Sequence, residues 1–212
     1  MADLAKSEHP ITIHLNNISK KYGNNWIFRK LTYDFEQGGK YAISGANGSG
    51  KSTLLKIIAG IITPNQGSIG FKQAGKTLLY GDISKQVSYC APYMDLPEEL
   101  TVSELLNFHC SLRKLIISKE QFTELLELEA DKEIRNYSSG MKQRLKLGLA
   151  FYTESSILLL DEPTATLDKH WIDWYFDKIE KLSAGKMLVI SSNIPEEYQF
   201  CPFILDLGKY KI

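Results

Sequence analysis

Long apolar runs are missing from this sequence. No stretch approaches the roughly 20 residues needed to cross a bilayer, which argues against a chain that itself spans a membrane. Cysteine is scarce: Cys90, Cys110 and Cys201 are odd in number, far apart and without a CxxC pair. A thiolate metal site or redox motif is therefore not expected, and buried free thiols are. No charge of either sign is in excess, with Lys plus Arg and Asp plus Glu each at 25. That balance removes the usual electrostatic reason for broad nucleic-acid binding. Internal repeats and low-complexity linkers are absent too. The first ten residues, MADLAKSEHP, have neither a basic start nor an apolar h-region, so export through a signal peptide is not expected and the cytoplasm is.

What remains is a 212-residue chain, enough for one globular domain with a subdomain folded into it. Residues 11–15, ITIHL, and 31–35, LTYDF, alternate apolar and polar side chains as half-buried antiparallel strands do. YAIS at 41–44, SILLLD at 156–161 and KMLVIS at 186–191 are short apolar runs suited to strands covered on both faces. Helical patterns lie between them, which predicts an α/β core with mainly parallel strands and an N-terminal antiparallel portion. A first helix runs through STLLKIIA to an αL stop at Gly60. Capping boxes at Thr101–Glu104 and Ser118–Gln121 start two further helices, the first followed by apolar Leu105, Leu106, Phe108 and Leu112. Residues of about 93–145 thus read as a helical insertion, and another helix spans about 170–182.

Gly45-x4-Gly50-Lys51-Ser52 matches the P-loop pattern between a strand and a helix. Gly48 and Gly50 let the backbone wrap closely around anionic oxygens at a helix N-terminus, and Gly45, Asn47 and Ser49 belong to the same nucleotide-binding loop. Lys51 would reach the β- and γ-phosphates of ATP, Ser52 would ligate Mg²⁺, and Thr53 would donate to the α-phosphate. The strand ILLLD delivers Asp161 and Glu162 at its C-terminal end, where open α/β sheets place ligands. Asp161 suits the Mg²⁺ shell and Glu162 the orientation or deprotonation of attacking water. A plain glycine turn and a pair of acids capping a helix are the bland alternatives. The joint occurrence of the two motifs speaks against them.

Taken in order along nearly the whole chain, these segments resemble the ATP-binding cassette (ABC) family. YSSGMKQR at 137–144 is similar to the family signature LSGGQ and its following helix. Tyr137 stands for Leu, Ser139 for the first Gly and Met141 for Gln, while Ser138 and Gly140 are kept. Read without the family, the segment is an N-cap on a helix whose buried face carries Met141, Leu145, Leu149 and Tyr152. Tyr22 stands where the family stacks an aromatic on adenine, or is a strand-edge tyrosine. PTATLD at 163–168 resembles the D-loop, in which Asp168 would meet the opposite subunit. The resemblance implies a dimer with another cassette chain, homo- or heterodimeric, in which one copy's signature faces the other's P-loop. It also implies separate transmembrane permease subunits docking near residues 92–97, around Met94, Leu96 and Pro97, and a location on the inner face of the cell membrane.

Two positions depart from the family pattern. Pro92, in YCAP, falls where a Gln ordinarily contacts Mg²⁺ or water; a one-residue shift offers Tyr93, whose phenol is a poor substitute for an amide oxygen. Asn193, in VISSN, replaces the switch-loop His and cannot carry imidazolium charge. An ATP-hydrolysing transporter subunit, a degenerate cassette that binds ATP and dimerises but turns over little, and a soluble non-transport cassette protein all stay open. A GTPase is disfavoured, because no NKxD-type segment is present and the 137–144 signature would be unexplained.

Overall fold

A computed structural model describes residues 10–211; the export-signal reading of the N-terminus concerns residues that, apart from Pro10, lie outside them. The alternating N-terminal segments are longer than their cores suggest, forming β1 (Ile11–Tyr22) and β2 (Asn25–Glu36). They pair antiparallel, and β4 (Gln66–Gln73) and β5 (Lys76–Thr77) extend that sheet in the order β2-β1-β4-β5. The second sheet is parallel throughout, ordered β6 (Val87–Cys90), β7 (Ile157–Asp161), β8 (Met187–Ser191), β3 (Lys40–Ser44) and β9 (Phe203–Asp206).

The apolar runs are explained by burial on both faces of this sheet. Every residue of ILLLD and MLVIS is buried, and the strand period of two divides them between two cores. Ile157, Leu159, Met187 and Val189 face α1 (Lys51–Ile58) and the antiparallel sheet. Leu158, Leu160, Leu188 and Ile190 face α5 (Ser139–Tyr152), α6 (Lys169–Leu182) and the inserted helices. The short helix α2 (Tyr80–Gln86) leads into β6. Gly60 has φ +74°, the left-handed geometry expected where α1 stops.

Between β6 and β7 in the chain lie α3 (Val102–Leu112) and α4 (Lys119–Leu125), each opened by a complete capping box on Thr101 or Ser118. Of the apolar residues that follow the first capping box, Phe108 and Leu112 are exposed. The buried stripe instead runs through Val102, Leu105, Leu106 and the half-buried His109, whose Nε2 lies 2.9 Å from Thr153 Oγ1. Cys110 is exposed as well, against expectation; Cys90 and Cys201 are buried free thiols. On α5 the expected stripe is too narrow. Leu145 and Tyr152 are buried, but so are Gln143, Leu147, Gly148, Ala150 and Phe151, because the sheet, α4 and α6 pack around the helix; Met141 and Leu149 are only half-buried.

Gly148 sets the α4–α5 approach. A Cβ there would sit 2.1 Å from Leu126 Cδ1 and 2.8 Å from the Phe122 ring, both fully buried. Gly148→Val is expected to lower stability by about 1–3 kcal/mol through overpacking, measured by urea denaturation; a neutral result would mean that this contact relaxes freely. Among the described residues no helix is long and apolar enough to cross a membrane.

Candidate functional site

Three adjacent strands of the parallel sheet end at one place. β8 lies between β7 and β3, with Asp161 beside Ser191 and Ile43 beside Ser191 in register. The loops after β3, β7 and β8 therefore bring the glycine-rich segment, Asp161–Glu162 and Asn193 together at the carboxyl ends of the strands.

The loop after β3 is built by backbone geometry that side chains resist. Gly45, Gly48 and Gly50 have φ of +147°, +74° and +100°. A Cβ on Gly50 would fall 2.3 Å from Ile27 Cγ2, and one on Gly45 would fall 2.6 Å from Ser49 Oγ. Lys51, the first residue of α1, is only 6% exposed, and its ammonium is held by Gly45 O at 2.9 Å, Ala46 O at 3.4 Å and Asn193 Oδ1 at 2.8 Å. Burial pulls its pKa below the ordinary lysine value, opposed by the charges of Glu162 and Asp161. Ile27, Asn47, Gly48, Gly50, Lys51, Ser52, Thr53 and Glu162 line a cavity of about 240 Å³, which shares Asn47, Gly48 and Glu162 with a neighbouring hollow reaching Ser192 and Asn193. Tyr22 does not line it; this side chain is exposed at the end of β1, with Lys20 Nζ 5.4 Å from its ring.

Asn193 bridges the two halves of the site. Its oxygen accepts from Lys51, while its Nδ2 donates to Asn47 Oδ1 and lies 3.4 Å from Glu162 Oε1. Glu162 is exposed to the cavity and has φ +43°, a conformation that costs a non-glycine residue of order 1–3 kcal/mol. Its N–H donates to Ser191 O at 2.7 Å, fixing the turn on β8.

Asp161 is 1% exposed and its Oδ1 has no protein partner. A buried carboxylate oxygen without a protein partner, close enough to Lys51 of the glycine-rich loop to act on its charge, fits Mg²⁺, which takes one or two carboxylates and completes its shell with phosphate oxygens and water. Among the described residues no group of three or more His, Cys, Asp or Glu forms a protein-only metal cage. Ser52, in the cavity wall, and Asp161 are the residues that would hold the ion.

The side chain next to Asp161 is that of Tyr93, the residue offered by the one-residue shift, and not that of Pro92. Tyr93 Oη donates to Asp161 Oδ2 at 2.7 Å and pairs with Tyr89 Oη. Pro92 contributes only its carbonyl, which accepts from Lys146 at 2.6 Å. Burial raises the pKa of both phenols, and Asp161 adds to that rise, so both remain protonated. Leu96 packs against the core that includes α3, α4 and α5, whereas Pro97 is exposed.

Ser138, Ser139, Gly140 and Met141 open α5, and Ser138 Oγ accepts from Met141 N at 3.2 Å. Tyr137 is buried, with its hydroxyl donating to Glu129 O at 2.7 Å. Asp168 caps α6, accepting from Trp171 N at 3.1 Å. The two segments are tied by Thr166 Oγ1 to Ser139 O, at 3.4 Å, and by Gln143 Nε2 to Pro163 O, at 2.8 Å. Together they line a second cavity of about 240 Å³ that shares no residue with the one at Lys51.

Glu197 went unnoticed in the sequence. It is 1% exposed and accepts from Thr164 N at 3.0 Å and from Thr164 Oγ1, tying the loop after Asn193 to the loop after Glu162. No periodic pattern marks it; only the fold brings residues 33 positions apart into contact. A further cavity, of about 460 Å³ between Gln37, Arg113, Glu154 and Lys186, flanks the starts of β6, β7 and β8, the end of the sheet away from these groups.

The family model for ABC transporters matches residues 28–165. The Nod factor export ATP-binding protein I of Rhizobium johnstonii is 32% identical over 200 residues, which is 89% of this chain and 63% of that protein. An uncharacterized ABC transporter ATP-binding protein of Bacillus subtilis, YybJ, is 30% identical over 204 residues, 92% of each chain. Among solved structures, a putative ABC transporter ATP-binding protein from Pyrococcus furiosus superposes with a TM-score of 0.77 at 24% identity, covering 95% of this chain and all of that one. A dimeric ATP-binding cassette in a post-hydrolysis state, bound to ADP and Pi, gives 0.78 at 23% identity over 94% of this chain and 96% of its own. At such identities the two structures speak to the fold. The matched segment runs from β2 through the glycine-rich loop to the turn after Asp161–Glu162, and the chain belongs to the ABC transporter family.

Proposed function

We propose that this chain binds ATP with Mg²⁺ and hydrolyses it slowly, as the nucleotide-binding subunit of a membrane transporter. The observation that carries the reading is the convergence of Lys51, Asp161, Glu162 and Asn193 on one cleft at the ends of β3, β7 and β8. Lys51 and the amides of residues 45–53 receive the phosphates, with the α1 N-terminus adding positive potential. Mg²⁺, when bound, neutralises charge on the phosphate oxygens. Glu162 takes the proton of the attacking water, and Asn193 holds Glu162 and Lys51 in register across the γ-phosphate position.

The signature cavity, separate from the Lys51 cavity within one chain, supports closure between two cassettes, with Ser138 to Met141 and Asp168 presented to the partner. Transmembrane subunits in separate chains and a peripheral place at the inner membrane face fit the export and transporter names of the relatives. Nucleic acid is not expected as a partner. Slow turnover is supported by Asn193 in place of an imidazole and by a phenol in place of an amide beside Asp161.

Titration calorimetry with Mg-ATP and single-turnover hydrolysis test the proposal together. Binding without measurable hydrolysis would favour a degenerate cassette, and no binding would end the reading. Asn193→Ala is expected to lower the single-turnover rate by about 10²-fold, the scale of losing one preorganised polar contact, with a smaller effect on affinity. An unchanged rate would remove Asn193 from the machinery.

A further inference from the structure

The inserted segment reaches the metal side of the cleft through one side chain. Tyr93 leaves the loop between β6 and α3, and three elements fix its ring and hydroxyl. Lys56 Nζ of α1 lies 4.1 Å from the ring centroid, Tyr89 of β6 pairs with its hydroxyl, and Asp161 of β7 accepts its proton at 2.7 Å. Each phenol has one proton. Because that of Tyr93 goes to Asp161, Tyr89 is the donor to Tyr93, and the chain of donation runs Tyr89 to Tyr93 to Asp161 Oδ2. The other carboxylate oxygen, Oδ1, is buried and unpartnered. A carboxylate held by one oxygen and open at the other has a fixed orientation.

We propose that Tyr93 is a positioning residue that clamps Oδ2 of Asp161 and so presents Oδ1 to the divalent cation of the bound nucleotide, with Tyr89 buttressing the clamp. The inference rests on the ATP-binding reading and assigns to a phenol what the sequence pattern led one to seek in an amide. Tyr93 does not replace a metal ligand; it orients one. Outer partners of metal ligands commonly change metal affinity by about 10–100-fold when removed. Because Tyr93 belongs to the loop that enters the helical insertion, movement of that loop would alter the cation site without touching the phosphate loop.

The test compares affinity for the non-hydrolysable analogue AMP-PNP in EDTA with that in saturating Mn²⁺, for the wild type, Tyr93→Phe and Tyr89→Phe. Mn²⁺ line shape in electron paramagnetic resonance serves as a second readout. Phenylalanine at 93 keeps the ring under Lys56 and deletes only the clamp. The Mn²⁺ enhancement should fall by about 10-fold or more in Tyr93→Phe, with affinity in EDTA unchanged, and by a smaller factor in Tyr89→Phe. Enhancement equal to the wild type's in Tyr93→Phe would overturn the proposal. An increase would also overturn it, since the phenol would then be obstructing the cation. Equal weakening with and without Mn²⁺ would reduce Tyr93 to loop packing and reject the clamp. A wild type that binds AMP-PNP in neither condition would defeat the ATP-binding reading and this inference with it; one that binds without Mn²⁺ enhancement defeats the inference alone.

Discussion

Lys51→Ala is expected to weaken Mg-ATP binding by about 10- to 150-fold while the protein stays folded. The estimate follows from the 1.5–3 kcal/mol carried by a hydrogen bond to a charged group. The ammonium donates to Gly45 O, Ala46 O and Asn193 Oδ1, which fixes it across the cleft. Nucleotide would take over some of those contacts, with the charge already in place and little side-chain entropy left to lose. Alanine removes the lysine from the cavity wall and leaves Glu162 there, with the buried Asp161 charge close behind, to meet incoming phosphates. Repulsion then acts where attraction did. The core beneath is untouched, since Leu54, Leu55, Ile57 and Ile58 keep α1 on the sheet. Calorimetric titration measures the loss and thermal melting checks the fold. Unchanged affinity in a folded variant would contradict the assignment of the loop.

Residues whose local backbone or burial dictates their type were legible in the sequence. Strands covered on both faces must be apolar throughout, so YAIS, ILLLD and MLVIS announced the parallel sheet. A loop that folds back at Gly45, Gly48 and Gly50 needs glycine where φ is positive, so the shape of that loop was legible too. β4 was not. Only Phe71 of its eight residues is buried, and a strand with one buried side chain has no period to read. Capping boxes found the starts of α3 and α4, because the cap is local chemistry. Which face of α3 is buried depends on neighbours, and so apolar character alone did not mark Phe108 and Leu112 as exposed. The same distinction holds within the site. Asp161 ends its strand and Glu162 follows it directly, but the contact of Tyr93 with Asp161 spans 68 positions, and counting along a loop could not decide between Pro92 and Tyr93. Geometry decided it, because the phenol is long enough to reach the carboxylate while the proline ring has nothing to donate.

Glu162→Gln should cut single-turnover hydrolysis by about 10²–10⁴-fold, the contribution typical of a positioned general base, while ATP binding is kept or tightened. Glutamine has the shape of the carboxylate and still offers an oxygen to Asn193 Nδ2, so the turn and its bridge to Lys51 survive. It cannot accept a proton from water at neutral pH. The substitution also removes one negative charge from the cavity that receives the phosphates, which favours the bound state. ATP should therefore persist at the site. Within one chain, Ser138 to Met141 and Asp168 line a cavity that shares no residue with the Lys51 site. If the signature reads the γ-phosphate of a neighbouring copy, persistent ATP holds two chains together. Light scattering with ATP and Mg²⁺ should then report a dimer for Glu162→Gln, and monomers for the same protein in ADP. Adding Lys51→Ala should abolish the dimer, because the bridging nucleotide is lost. A Glu162→Gln protein that binds ATP, fails to hydrolyse it and stays monomeric would break the homodimer reading. Repeating the measurement with a second cassette chain or with transmembrane subunits then separates a heterodimer from a cassette that closes only on its transporter. Hydrolysis at the wild-type rate in Glu162→Gln would move the general base elsewhere in the cleft.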